Sequence, residues 1–271
     1  MKYHLLSVVS AAAMLIQPAT LDASVIYQPD FNSLPYKEGE TIVGVDGWTK
    51  GTISSGNDLD ASIVSSPWDE GSVLYLKSSK PLGGAGTVTV TRSFEKTFTG
   101  PAVRIDLVMA FDPYSLSDNA ITSRIYFNSE SATTNLTPLT LGFTRAAEGG
   151  IYYIGAAGQE VILEKSQVAP NSPYAFSILL NFEDKVFDLT VTGKNKDGSD
   201  FSFTSQAPIG FRVAEGGQPS SGINSMTMSQ NSPSLSGYLG SVSIETIPEP
   251  STLAALVTGG ALLLGLHLRK R

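Results

Sequence analysis

The chain has 271 residues, a formal net charge of −7 at pH 7, two histidines and no cysteine. An acidic surface repels phosphate backbones, which argues against a nucleic-acid partner, and the lack of cysteine excludes disulfides and thiolate metal sites. The histidines, His4 and His267, lie near the two ends, so the long middle segment lacks the residues for Ser-His-Asp or Cys-His catalysis and for His-ligated zinc.

The first 23 residues have the layout of a secretory signal. Lys2 is followed by an apolar stretch over residues 5–16, and the small residue Ala23 follows soon after. A basic start, a short apolar region and a small residue at the cut are typical of signal peptides. We therefore predict a signal helix that is cleaved after Ala23. Leu21 is large for the third position before a cut, so cleavage a few residues away stays open. An uncleaved anchor is the other alternative, although the apolar stretch is short for a membrane span.

Two tryptophans are the first candidates for ligand contact, because an aromatic face offers apolar surface to the face of a sugar ring. Trp48, in DGWTKG, is interpreted as a core residue that closes an edge of the domain. Trp68 stands between Pro67 and two acidic residues, in a loop. The sequence therefore predicts Trp68 as the glycan-binding residue of the two.

Acidic residues in turn-like segments are the candidates for metal binding. Asp58 and Asp60 in SSGNDLDAS, together with Asn57, offer the oxygen ligands that calcium prefers in a loop, and Asp197 and Asp200 offer a second such pair. Turn-forming Asp and Asn produce the same pattern without a metal. Calcium at Asp58 and Asp60 is therefore a prediction with a plain turn as its alternative, and no other cofactor is expected.

Alternation of apolar and polar residues dominates the middle segment. In PYAFSILLNF, for example, Phe176, Ile178 and Leu180 fall on one face, as expected of a half-buried strand. Strands with one apolar face bury it by packing two sheets together. We predict an all-β, antiparallel, jelly-roll-like β-sandwich over residues 24–247, without a helix. The strand-like runs cover 72–78, 87–94, 102–111, 122–128, 139–143, 150–155, 160–164, 173–182, 185–193, 200–205, 223–229 and 238–245.

Part of this segment is similar to a known superfold. The run FNSLPYKEGETIVGVDGWTKG, followed by VLYLKSS and the long alternating strands, resembles the concanavalin A or laminin G-like sandwich. A generic jelly roll is the alternative. Glucanases of that superfold carry Glu-x-Asp-x-(x)-Glu along one strand, which this chain lacks. Its nearest acidic cluster, Glu183 and Asp184 with Asp188, is interpreted as solvated hairpin charge. An enzyme that uses carboxylates from distant strands stays an alternative.

The chain ends in an apolar run that stops at three cations. Residues 252–268 contain no Asp, Glu, Lys or Arg. As a helix they reach about 25 Å, near the hydrocarbon thickness of about 30 Å. A buried core helix would show a polar face, which this run lacks. We predict a transmembrane helix with its basic end in the cytoplasm.

The tail also resembles a known sorting signal. Pro248, Glu249 and Pro250 stand before the apolar span, and Arg269, Lys270 and Arg271 follow it. This order resembles the PEP-CTERM signal of Gram-negative and related bacteria. The resemblance implies a partner, a membrane-embedded exosortase related to cysteine transpeptidases, which recognises the signal and removes the tail. It also implies a link to exopolysaccharide and biofilm matrix. A proline linker before a plain anchor is the alternative.

Together these features predict three parts: a signal peptide over 1–23, a β-sandwich over 24–247 and a sorting signal over 248–271. The expected protein is non-catalytic and exported. It passes transiently through the inner membrane and works at the cell surface or in the matrix by binding polysaccharide. The alternatives are a carboxylate-dependent polysaccharide-active enzyme and a tail-anchored surface protein that is never processed.

Overall fold

A computed structural model describes residues 23–53, 58–69, 71–78, 87–113, 122–128, 137–144, 150–156, 158, 160–165, 168–212, 219–230 and 235–247. These residues form sixteen β-strands and no helix. A helix suited to crossing a membrane is accordingly not found among them. The chain divides into two units, Ser24–Thr246 and a second made of Met1–Ala23 with Ile247–Arg271. The predicted signal helix and C-terminal helix lie outside the described residues.

The strands are, in chain order, β1 (Ser24–Tyr27), β2 (Trp48–Ile53), β3 (Leu59–Ser65), β4 (Ser72–Ser78), β5 (Val88–Phe98), β6 (Ala102–Pro113), β7 (Thr122–Asn128), β8 (Leu139–Thr144), β9 (Gly150–Ile154), β10 (Glu160–Lys165), β11 (Tyr174–Asn181), β12 (Val186–Lys194), β13 (Asp200–Thr204), β14 (Ile209–Gly210), β15 (Ile223–Gln230) and β16 (Leu235–Ile247).

Two sheets account for all of these strands. The nine-stranded sheet runs β13-β12-β11-β6-β16-β4-β3, with β1 beside β16 and β14 beside β12. The seven-stranded sheet runs β10-β9-β8-β7-β15-β5-β2. The strand pairs whose register is known in the described part are antiparallel. The prediction of an all-β antiparallel sandwich is therefore confirmed.

The core lies between the sheets and follows from the alternation seen in the sequence. In β11, Phe176, Ile178 and Leu180 are at most 1% exposed, whereas the residues between them face outward. Rings from the two sheets meet directly, since the centroids of Phe111 on β6 and Phe143 on β8 are 4.9 Å apart. Burial of this apolar surface is the main stabilising term in a domain without cysteine.

The last strand holds a central place in the nine-stranded sheet. β16 lies between β6 and β4, and its final residues also pair with β1. Ser24 is the register partner of Thr246, and Val25 is the partner of Glu245. The residues that follow the predicted signal cut and those that precede the predicted sorting signal are therefore neighbours in one sheet.

Candidate functional site

Trp68 is held in place by a compact loop between β3 and β4. The backbone N–H of Ser66 donates to the carbonyl of Gly71 at 2.8 Å, which closes the loop. The Ser66 hydroxyl then accepts from the backbone N–H groups of Trp68 and Asp69, both at 3.3 Å. A serine that bonds to the backbone two and three residues ahead is a common turn former. The predicted loop position of Trp68 is confirmed, and its backbone has hydrogen-bond partners within the loop.

The indole of Trp68 belongs to a cluster of three aromatic rings on the outer face of the nine-stranded sheet. Its edge meets the ring of Tyr238 at a centroid distance of 6.0 Å and an angle of 88°. Tyr238 also meets Tyr75, its register partner on β4, at 5.2 Å. All three residues are half-buried, so part of each side chain stays exposed. We call Trp68, Tyr75 and Tyr238 the aromatic platform.

A glycine makes room for this platform. Gly240 on β16 lies under the indole, where an added Cβ would stand 2.8 Å from Cζ2 of Trp68. The same Cβ would stand 3.6 Å from Cγ1 of Val108 on β6. Such a Cβ would push the indole away. The absence of a side chain at Gly240 therefore allows the Trp68 indole to pack against the sheet near Val108.

A groove with a volume of about 280 Å³ lies on the outer face of the same sheet, and Val108 is one of its lining residues. Strands β6, β11, β12 and β16 form its floor, and the segment after β1 adds one side. The outward-facing lining is rich in hydroxyl groups, which donate and accept hydrogen bonds. The lining residues are Gln28, Pro29, Asp106, Leu107, Val108, Ala175, Phe176, Ser177, Thr190, Thr192, Ser241, Val242 and Ser243.

Strand register brings the polar groups of the groove into one row. Asp106 on β6 is the partner of Ser177 on β11, which is the partner of Thr190 on β12. The Ser177 hydroxyl donates to Oδ1 of Asp106 at 2.5 Å. Asp106 is the single charged side chain among the residues that line the groove. An aromatic platform beside such a row is suited to bind a polar ligand with apolar faces, because the rings can stack and the row can hydrogen-bond.

The other tryptophan is buried. Trp48 is 0% exposed, and its Nε1–H donates to Oη of Tyr27 at 3.1 Å. Oη of Tyr27 lies 3.3 Å from Oη of Tyr36, which donates to Oδ2 of Asp46 at 2.6 Å. Oδ1 of Asp46 forms an ion pair with Arg92 at 3.3 Å. The interpretation of Trp48 as a core residue is confirmed.

The two tyrosines in this row of hydrogen bonds both have a raised pKa. Burial raises the pKa of Tyr27, and hydrogen bonds from Tyr36 and Trp48 offset part of that rise. Burial also raises the pKa of Tyr36 far above its usual range, and its hydrogen bond to the Asp46 carboxylate adds to the effect. In both cases the neutral phenol is favoured, because a buried charge is costly.

The predicted calcium residues lie at the start of β3. Asp58 is exposed just before the strand, whereas Asp60 is its second residue and not part of a loop. Oδ1 of Asp60 accepts a hydrogen bond from the Ser62 hydroxyl at 2.9 Å. Within the described ranges no group of three or more His, Cys, Asp or Glu residues is arranged to hold a metal. Calcium at Asp58 and Asp60 stays a prediction.

The remaining acidic candidates have local partners. Oδ1 of Asp197 accepts from the backbone N–H of Ser199 at 2.9 Å and from its hydroxyl at 2.6 Å, and these bonds lower the pKa of Asp197. Asp200 forms an ion pair with Lys194 at 2.5 Å. These contacts are those of a hairpin turn. The acidic cluster interpreted as hairpin charge is exposed at all three positions: Glu183, Asp184 and Asp188.

The predicted processing residues are largely outside the described part of the chain. Ala23 is its first residue and is exposed. The predicted sorting residues Pro248, Glu249, Pro250, Arg269, Lys270 and Arg271 lie beyond Ile247 and outside the described residues.

No protein-family model and no curated protein matches the chain. Among solved structures it is similar to the carbohydrate esterase vb_24B_21 of the Shiga toxin-encoding bacteriophage phi24B, at 11% identity and a TM-score of 0.48, over 84% of this chain and 100% of that one. It is also similar to lectin UEA-II complexed with galactose, at 10% identity and a TM-score of 0.45, over 83% and 100%. A Bauhinia forficata lectin in complex with GalNAc gives 12% identity and a TM-score of 0.43, over 83% and 98%.

Proposed function

We propose that the protein is a non-catalytic, exported protein of the cell surface or matrix that binds polysaccharide through the aromatic platform. The observation that carries this proposal is the position of three half-buried rings beside a groove lined with hydroxyl groups. Ligand sites combine apolar and aromatic surface with a few well-placed polar groups. A sugar ring, with apolar faces and a hydroxyl edge, fits such a surface.

Binding is favoured over catalysis by the residues that the site offers. Residues 24–247 contain neither histidine nor cysteine. A glycosidase needs two carboxyl groups on either side of the scissile bond, and Asp106 is the single carboxylate among the lining residues of the groove. A carboxylate-dependent enzyme that uses acids from separate strands remains the second candidate, and turnover of a glycan would support it.

The proposal includes the route by which the protein reaches its place of action. A signal peptide directs export, and an exosortase recognises Pro248-Glu249-Pro250 and removes the tail. The compact unit Ser24–Thr246 supports this division of the chain, because it ends just before the predicted sorting residues. A tail-anchored protein that is never processed is the alternative.

Glycan binding by the full-length chain in a mild detergent tests the platform. Trp68→Leu keeps apolar bulk over Gly240 but removes the aromatic face, whereas Trp68→Phe keeps a smaller ring. We expect Trp68→Leu to weaken binding by about 10-fold, since aromatic stacking contributes roughly 1 to 1.5 kcal/mol, and Trp68→Phe to retain most of the affinity. Val161→Ala, at an exposed apolar side chain of β10 in the other sheet, is the control. Equal affinity of the Trp68→Leu and unaltered chains would refute the platform as the binding site.

A further inference from the structure

We infer that the groove beside the platform is a subsite for an amino sugar, with Asp106 accepting a hydrogen bond from the sugar's ammonium group. This inference rests on the proposed polysaccharide binding and adds the class of sugar. It is carried by the charge of the groove, the free bonding capacity of Asp106 and the continuity of the groove with the platform.

Asp106 has unused capacity to accept hydrogen bonds. Its Oδ1 accepts from the Ser177 hydroxyl, and Oδ2 makes no hydrogen bond to a residue of the described ranges. The side chain is half-buried, so part of it stays in contact with solvent. No Lys or Arg of the described ranges lies within 4.0 Å of it as an ion-pair partner. An ionised carboxylate has about four acceptor positions, so Asp106 can accept further bonds from a ligand.

The charge around Asp106 selects among sugars. The lining contains no Lys, Arg or His, so its single charge is negative. A uronate or a sulfated sugar would place a like charge beside Asp106, which is unfavourable. An ammonium group would form a charge-assisted hydrogen bond, which is stronger than one between neutral groups. The groove therefore favours glycans that carry free amines and disfavours acidic ones.

The groove and the platform lie close enough together to serve one glycan chain. Val108 lines the groove and flanks Gly240, on which the indole of Trp68 rests. Ser241, the residue after Gly240, also lines the groove. A glycan that stacks one ring on Trp68 can therefore extend its next units over Val108 toward Asp106.

The test compares three ligands on the full-length chain in detergent. The ligands are chitosan oligomers with free amines, chitin oligomers with the same backbone but acetylated amines, and polygalacturonate with carboxylates. We expect chitosan to bind most tightly and polygalacturonate most weakly. Asp106→Asn should weaken chitosan binding by about 5- to 10-fold and leave chitin binding unchanged, because the amide oxygen still accepts a hydrogen bond but a neutral bond is only about half as strong as a charge-assisted one. Higher salt should reduce the chitosan preference, because screening weakens exposed charge pairs.

A matched control separates a local effect from net charge. Asp188→Asn removes an exposed carboxylate from β12 of the same sheet, at a residue that does not line the groove. We expect this variant to keep the chitosan preference. If Asp106→Asn leaves the preference intact while Trp68→Leu still weakens binding, the amino-sugar subsite is refuted and the platform stands. If none of the ligands binds and a wider glycan panel is also negative, the proposed function fails and the subsite with it.

Discussion

The position of the Trp68 indole depends on a missing side chain. Gly240 leaves the outer face of β16 bare at the point where the indole lies, and an added Cβ would come within 2.8 Å of Cζ2. Contacts this short force a neighbour to move. The aromatic platform therefore requires a glycine there, for reasons of space.

Gly240→Ala tests this requirement. We expect the added methyl group to displace the Trp68 ring, to lower the free energy of unfolding by about 1 kcal/mol, and to weaken glycan binding. Gly100→Ala is the control, because the nearest atom beyond its two chain neighbours, the Ala102 carbonyl oxygen, would be 4.0 Å from the new Cβ. Unfolding by urea and glycan binding are measured for both. Unchanged glycan affinity in Gly240→Ala would argue against the packing of the Trp68 indole on Gly240.

The buried tyrosines make stability sensitive to alkali. Because the pKa values of Tyr27 and Tyr36 are raised above 10.0 in the folded state, the unfolded chain loses these protons at lower pH than the folded chain. The contribution of these two tyrosines to the free energy of unfolding is therefore present below about pH 10 and is lost as the pH rises above it. Each tyrosine releases one proton, so its slope cannot exceed about 1.4 kcal/mol per pH unit.

Urea unfolding between pH 8 and pH 11 measures this effect. We expect the unaltered chain to lose stability above pH 10, and the double variant Tyr27→Phe with Tyr36→Phe to lose it less steeply. The variant is also expected to be less stable at pH 8, because Trp48 and Asp46 lose hydrogen-bond partners. If the free energy of unfolding falls equally steeply above pH 10 in both proteins, these tyrosines are not the source of the loss.

For single residues, the sequence predicted those features that depend on the neighbours in the chain. The prolines, glycines and charges around Trp68 and Trp48 distinguished a loop residue from a core residue, and both assignments hold. The partners of Trp68 were not predictable, since Tyr238 is 170 positions away in the chain. Tyr75 offered one signal, because it is a large aromatic residue at an outward position between Leu74 and Leu76.

Among the strands, β16 is the element on which completion of the fold depends. It lies inside the nine-stranded sheet and contributes Leu239, Val242 and Ile244 to the core, each at most 2% exposed. The nine-stranded sheet can therefore be completed only after β16 has been synthesised. A cut after Ile247 leaves all three core residues and the pairing with β1 in place, so removal of the tail there is compatible with the fold.

Two truncations test this boundary. We expect a chain ended after Ile247 to keep the thermal unfolding temperature of the sandwich, and a chain ended after Tyr238 to fail to fold, because it lacks the three core residues of β16. The intact mass of protein recovered from the cell surface should likewise show no C-terminus before Ile247. A folded, cooperative chain ended after Tyr238 would show that β16 is dispensable.

The sequence predicted the central strands and two of the edge strands, β10 and β13, but it missed β1, β2, β3 and β14. β6, β11 and β12 carry several large apolar residues at alternate positions, so their faces are readable. β1 and β14 have only four and two residues, and four of the six residues of β2 are exposed. In β3 the buried residues are Ala61 and Ile63 alone. A strand that buries few side chains shows little apolar periodicity in its sequence.

For the whole molecule, the fold class followed from composition and alternation, but the order of strands did not. β6 pairs with β11, and β7 with β15, across long stretches of chain. No local pattern encodes such pairings, since they are set by how the two apolar faces close on each other. The groove depends on this order, which is why Asp106 was not predicted as a site residue.

The sorting signal is also a property of the whole molecule. Replacing Pro248, Glu249 and Pro250 by alanine should leave the protein in the membrane fraction, because the exosortase no longer recognises an extended, proline-flanked segment. The unaltered chain should be released, and its mass should be lower than that of the membrane-bound variant by about 24 residues, the length of the predicted sorting signal. Equal release of both proteins would contradict processing at this signal.

The most direct measurement uses Trp68 as its own reporter. In a Trp48→Phe chain Trp68 is the single tryptophan, so its fluorescence reports on the aromatic platform alone, with circular dichroism confirming that the variant is folded. We predict that the best-binding glycan changes the Trp68 emission and that this change saturates at the concentration where binding saturates. Saturable binding with no change in Trp68 emission would place the glycan elsewhere and contradict the proposed site.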